Sequence, residues 1–189
     1  MPCTGVMLPT ETGKSILAAI HTRRSSSISI ILTPLTIARE HFSEIYRRGR
    51  SFAGGKALEF SSFRGLSALA LALAGTIVRS VDRNSGFQRN REGLIRRYQQ
   101  QGDFQICSDR SWLYGAETFN VMLLDTQYRD QIRFQLESLW KRKLRPGGLL
   151  IVHDVEKINV NALLDALGPS LISVTPDTRG REMGFFWKE

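Results

Sequence analysis

Two kinds of apolar spacing divide the chain. From position 56 onward, short runs of Val, Leu, Ile and Phe alternate with longer stretches whose apolar residues recur every three or four positions. The first spacing marks strands and the second marks helices packed on one side. Strands are expected over 57–60, 76–81, 104–107, 119–124, 149–152, 171–174 and 183–187. Helices are expected over 66–74, 91–101, 131–144 and 160–167. The runs Phe119-Asn120-Val121-Met122-Leu123-Leu124 and Leu149-Leu150-Ile151-Val152 barely alternate, as in strands buried on both faces. Upstream, Thr33-Pro34 has the form of an N-cap with Pro at the first helical position, and the following apolar residues predict a helix over 34–48. Positions 1–32 predict little beyond a short helix over 14–20 and a short element over 28–32.

Strands alternating with helices imply a largely parallel sheet covered on both faces. The last two strands are joined by too few residues for a helical crossover, so they pair antiparallel. Length and composition fit one such domain. The chain has 189 residues, 42% of them hydrophobic and 23% charged, enough for one core and too few for two. The expected division is a helical extension or cap over 1–53 and an α/β domain over 54–189.

The formal net charge is +8 and Arg dominates the basic set. Such a surface attracts anions, whether nucleic acid or phosphorylated metabolites, and equally fits a solvated basic face. The arginines at 47, 48, 50, 89, 91, 96 and 97 are the candidates for an anion-binding face. Cys3 and Cys107 match no metal-ligand spacing, so a reducing cytoplasmic setting is expected. No apolar run is long enough for a membrane span. The segment Gly13-Lys14-Ser15 is a fragment of a phosphate loop, but Leu8 stands where that loop needs its first Gly and Glu11 would repel phosphate.

In an open α/β sheet, ligands bind beyond the carboxyl ends of the strands. The informative residues are therefore those that follow each strand. The turn Glu59-Phe60-Ser61-Ser62-Phe63-Arg64-Gly65-Leu66-Ser67 opens a helix, where free N–H groups favour an anionic group. Asp82 ends the second strand, about 20 residues on, where a carboxylate either accepts from ribose hydroxyls or is an exposed loop acid beside Arg83. Ser108-Asp109 follows the third strand and either faces an adenine edge or caps a helix. Asp125 ends the fourth strand, and His153-Asp154 the fifth. Asp125 and Asp154 are placed to hold a hard divalent metal, to orient a substrate, or to cap loops. His153 is either a general base or a structural histidine, and strand alternation points its side chain away from that of Asp154.

In combination these motifs resemble the class I S-adenosylmethionine-dependent methyltransferases, and in particular the small-molecule O-methyltransferases. The resemblance rests on the turn Glu59 to Ser67 with Asp82, and on Leu144-Arg145-Pro146-Gly147-Gly148 leading to Asp154. It covers about 54–189. It implies a Rossmann-like, doubly wound, seven-stranded sheet, mostly parallel with an antiparallel last strand. It implies S-adenosylmethionine as cofactor and transfer of a methyl group to a hydroxyl of a small molecule. On this resemblance Glu59, Ser61, Ser62, Phe63 and Gly65 surround the methionine end, Asp82 holds the ribose, Ser108 and Asp109 sit near the adenine, and Asp125 faces the reacting methyl. Asp125, Asp154 and His153 are the catalytic candidates. Asp125 and Asp154 are the metal candidates, although a divalent metal is not favoured.

The chain departs from the family pattern at three places. Ser61 replaces the usual Gly, no His follows Asp125, and Val155 replaces the Asn that completes a metal set. These departures keep two alternatives in view: a cofactor-binding protein without catalysis, and an RNA methyltransferase that uses the basic surface. Acceptor identity and oligomeric state are not encoded in any motif.

Overall fold

The computed structural model describes residues 37–60, 65–81, 106–107, 116–125, 141–159 and 170–189. The expected helices over 14–20, 91–101 and 160–167, the element over 28–32 and the Thr33-Pro34 cap lie outside the described residues.

Helix α1 spans Arg39–Gly49 and is followed by a 3-10 turn, Arg50–Phe52. Strand β1 (Lys56–Phe60) leads to α2 (Leu66–Leu73) and β2 (Ile77–Val81). Then come β3 (Ile106–Cys107), β4 (Phe119–Asp125), a single helical turn α3 (Lys141–Lys143) and β5 (Leu144–His153). A second 3-10 turn, Val155–Lys157, precedes β6 (Ser170–Pro176) and β7 (Glu182–Trp187).

Among the described residues the strands form one sheet in the order β3-β2-β1-β4-β5-β7-β6. Pairs β1–β2, β2–β3, β1–β4 and β4–β5 are parallel, and β7 runs antiparallel to both β5 and β6. The short β6–β7 connection forces this reversal, as the sequence predicts.

Strand alternation sorts the core into two layers. One face of the sheet, with Ala57, Val121, Leu123, Leu149, Ile151, Met183 and Phe185, packs against Phe42, Ile45 and Tyr46 of α1 and the Leu and Ala side chains of α2. The other, with Leu58, Phe60, Met122, Leu124, Leu150, Val152 and Phe186, packs with Leu144, Val155 and Ile158. Helix α2 is apolar all round because it lies between the sheet and α1, and every residue but Ser67 is buried.

Two expectations about element boundaries are corrected. Helix α1 begins at Arg39, because Ala38 holds extended backbone (ψ 156°) in the N-cap position. Ile37 reaches the core from that extended segment and not from a helical turn. Strand β5 begins at Leu144, where the sequence predicts a helix end and a separate Pro-Gly-Gly turn. Leu144 pairs with Phe119, and the register then shifts before Val121 meets Leu149. Pro146-Gly147-Gly148 is the irregularity that takes up this shift. Gly147 adopts φ 70°, which costs Gly little. Its N–H donates to the Lys188 carbonyl (2.8 Å), while Lys188 N–H donates to the Gly148 carbonyl (2.9 Å).

Candidate functional site at the carboxyl edge of the sheet

The strand order reverses between β1 and β4, and this is where an open α/β sheet leaves a crevice beyond its carboxyl ends. The ends of β1, β2, β4 and β5 supply Glu59, Ser80, Asp125 and His153. Glu59 lies beside Ser80 on one side and Leu123 on the other, and Asp125 is the register partner of His153.

Glu59 is fully buried. Its alternation places it on the face covered by α2, in line with Ala57. Ser67, in the first turn of α2, donates its hydroxyl to Glu59 Oε1, and Ser80 donates to Oε2 at 2.6 Å. A buried carboxyl group without such donors would cost several kcal/mol, so the two serines make the position tenable. Gly65 precedes α2 with φ 78°, a backbone angle that favours Gly and turns the chain sharply from β1 into the helix. Of the residues expected around the methionine end, Glu59 and Gly65 are described, at the end of β1 and the start of α2. The sequence flagged neither Ser80 nor a bond from Ser67. Ser80 was legible only as a lone hydroxyl in an apolar strand, one position off Val81.

Ser61, Ser62, Phe63, Asp82, Ser108 and Asp109 lie outside the described residues, and Asp125 is described by its backbone alone. The missing His after Asp125 concerns positions that also lie outside.

At the end of β5 the expected geometry is overturned. Strand alternation would send the side chains of His153 and Asp154 to opposite faces. Asp154 instead leaves the strand with φ 55° and ψ 41°, the left-handed region, as it enters the 3-10 turn. That rotation swings its carboxylate back, and Oδ1 lies 3.3 Å from His153 Nδ1. Both residues are buried. The ammonium of Lys157 bonds Asp154 Oδ2. Lys157 thus occupies one oxygen of Asp154, while the side chain of the other metal candidate, Asp125, lies outside the described residues. Among the described residues no group of three or more His, Cys, Asp or Glu side chains is arranged for a metal.

Sequence reasoning missed a second histidine. His41, from α1, is fully buried and sits edge-on to His153, with ring centroids 5.2 Å apart at 88°. Its Nε2–H donates to the Thr175 carbonyl of β6 at 2.9 Å. Burial, and then the neighbouring His153, hold the His41 imidazole below its ordinary pKa, against the opposing effects of the Thr175 bond and Asp177. The available signal was its place in the apolar stripe His41, Phe42, Ile45, Tyr46 and Gly49.

Asp177, also missed, organises the β6–β7 turn. Its Oδ1 accepts from the N–H groups of Arg179 (2.7 Å) and Arg181 (3.0 Å), and Oδ2 from Arg181 Nε (2.9 Å). Burial pushes the carboxyl pKa up, but the Arg181 and Arg179 amides and the Arg181 guanidinium outweigh it and hold the group well below the usual carboxylate range.

The basic face is partly committed inside the molecule. Arg47 and Arg48 both bond Glu44, and Arg48 also bonds Ser173 and lies over the Phe185 ring at 4.3 Å. Arg50 is exposed; positions 89, 91, 96 and 97 lie outside the described residues. Among the described residues no helix is long and apolar enough to cross a membrane.

No family model matches the chain, and no curated protein matches it. Solved structures do. The T. thermophilus 16S rRNA N2 G1207 methyltransferase RsmC, in complex with AdoMet and guanosine, superposes with a TM-score of 0.66 at 14% identity over 84% of this chain. The chain spans only 45% of that protein. The O-methyltransferase TomG from Streptomyces achromogenes, in complex with SAM, gives 0.64 at 16% identity, covering 97% of this chain and 92% of its own. The O-methyltransferase from Bacillus cereus, in complex with SAH, gives 0.64 at 14% identity over 97% of this chain and 94% of its own. With the strand order and the antiparallel β7, these likenesses establish that the chain has the Rossmann-like fold of the S-adenosylmethionine-dependent methyltransferases.

Proposed function

We propose that this protein is an S-adenosylmethionine-dependent methyltransferase that methylates a hydroxyl group of a small molecule. The observation that carries the reading is the buried Glu59 carboxyl at the point where strand order reverses, braced by Ser67 and Ser80 on this fold. A carboxylate suits the cofactor's ammonium, and the helix that follows Gly65 begins at the same edge of the sheet. The proposed sheet is doubly wound and seven-stranded, with residues 54–189 as the cofactor-binding domain and 1–53 as a helical cap.

Bound S-adenosylmethionine supplies an electrophilic methyl group. The chain's own residues bind, orient and shield. Glu59 accepts from the cofactor ammonium, and Ser61, Ser62, Phe63 and Gly65 wrap the methionine end. Asp82 accepts from the ribose hydroxyls, and Ser108 and Asp109 border the adenine. Asp125 stands beside the reacting methyl. His153, with its Nδ1 3.3 Å from Asp154 Oδ1, is the register partner of Asp125 on β5 and is the candidate to take the acceptor proton. Transfer in line then depends on positioning more than on acid–base strength.

A small-molecule acceptor is preferred to RNA because Arg47 and Arg48 are engaged by Glu44 and Phe185. Calorimetric titration with S-adenosylmethionine tests the reading. The parent chain binds, and Asp82→Ala weakens binding by about 10- to 100-fold, the worth of one or two hydrogen bonds to a charged group. No binding by the parent sinks the proposal; equal binding by both removes the ribose role. Binding without turnover of any hydroxyl acceptor leaves the catalytically silent alternative standing.

A further inference from the structure

We propose that His41 is a proton-operated latch: neutral, it pins the amino end of helix α1 to the ends of β5 and β6, and protonated, it lets that end of the helix lift away. The latch is independent of the methyl-transfer reading, since it concerns how α1 docks on the sheet.

Among the described residues, polar contacts join helix α1 to the sheet near both of its ends. Near its carboxyl end Arg48 bonds Ser173 and covers Phe185. Near its amino end His41 contributes a polar contact among the described residues, its Nε2–H bonding the Thr175 carbonyl. That bond fixes the tautomer, because a carbonyl can only accept, and so Nδ1 of the neutral ring carries no proton. Nδ1 is buried and has no hydrogen-bond partner among the described residues. A second proton would therefore place a charged N–H donor in a buried position where the described residues offer it no hydrogen bond. An unsatisfied buried donor is destabilising even when neutral, and more so when charged.

The surrounding charges do not rescue it. From β5, His153 meets His41 edge-on. Beyond it, Asp154 is bonded by Lys157. From the β6–β7 turn, Asp177 favours a charged His41, but its two oxygens already accept from Arg179 and Arg181, and Arg181 itself repels a charged His41. On α1, Glu44 is taken by Arg47 and Arg48, and Glu40 and Arg39 are only half-buried. Both facing carboxylates are thus matched by cations before His41 gains a proton. Proton uptake is easier in the lifted state than in the docked one, in keeping with the lowered basicity of the docked imidazole. Acidification through the ordinary histidine range must then favour lifting.

Hydrogen exchange of the full-length protein, corrected for intrinsic rates and followed from pH 8 to pH 5, tests the latch. The protection of α1 (Arg39–Gly49) relative to α2 (Leu66–Leu73) is expected to fall by up to about tenfold per pH unit below about 6.5. His41→Gln keeps a donor for Thr175 without a titrating ring, and its α1-to-α2 ratio is expected to be flat over the same range. A flat ratio in the parent chain overturns the proposal, as does an unchanged slope in the variant. If His41→Gln fails to fold, NMR titration of the parent decides. His41 ring protonation must coincide with shifts in the amide signals of α1, and protonation that leaves those amides unmoved refutes the latch.

Discussion

Replacing Glu59 with Gln separates a ligand-binding acid from a structural one. The side chain is fully buried and accepts hydroxyl donors from Ser67 and Ser80, the latter at 2.6 Å. An amide of the same shape still accepts through its carbonyl and donates through its NH2, and a serine hydroxyl can rotate to accept. The fold should lose at most about 1 kcal/mol, and removing a buried charge offsets part of that. A bound ammonium loses more. Its charge-assisted bond to a carboxylate contributes about 1.5–3 kcal/mol, which corresponds to a roughly 10- to 150-fold rise in Kd. Calorimetry with S-adenosylmethionine measures the second quantity, and urea denaturation of the same preparations measures the first. A variant that loses more than about 2 kcal/mol of stability yet binds as tightly as the parent would refute the assignment, and would make Glu59 a purely structural brace of β1, β2 and α2.

Other perturbations probe the packing that positions this edge. A Cβ on Gly49 would sit 2.9 Å from the Ala74 Cβ and 3.5 Å from Leu71 Cδ2, where α1 crosses the end of α2. The nearer atom is fixed to the backbone and cannot swing aside, so Gly49→Val should cost about 1–3 kcal/mol in urea denaturation; an unchanged midpoint would mean the helices part freely. Asp177→Asn should cost about 1–2 kcal/mol at neutral pH through its turn bonds. Because the native carboxyl is held below its ordinary pKa of 3.8, its contribution is complete above that value and disappears as pH falls below it. Thermal melts should therefore show a steeper acid-side loss in the parent than in the variant, and parallel curves would exclude the role.

Much of the site's scaffold was legible in particular residues. Glu59 was picked out as the first residue of the strand-to-helix turn that carries the family resemblance. Gly65 was legible as the only residue in its turn that takes a positive φ at little cost. His41 was not legible, because its partners Thr175 and His153 lie far off in the chain. A histidine in an apolar helical stripe looks the same whether or not a second ring waits for it.

The pattern of apolar runs by itself determined the succession of strands, the helix between β1 and β2, the largely parallel sheet and the reversal between β6 and β7, since burial on two faces and a short connection leave few other solutions. Tertiary structure decided what local rules do not reach. It started α1 at Arg39, drew Leu144 into β5 beside Phe119, turned Asp154 back onto His153 and set His41 edge-on to the His153 ring. Each of these depends on which atoms from distant segments share the same small volume. Periodicity fixes which side of an element faces inward; it does not say what that side will meet.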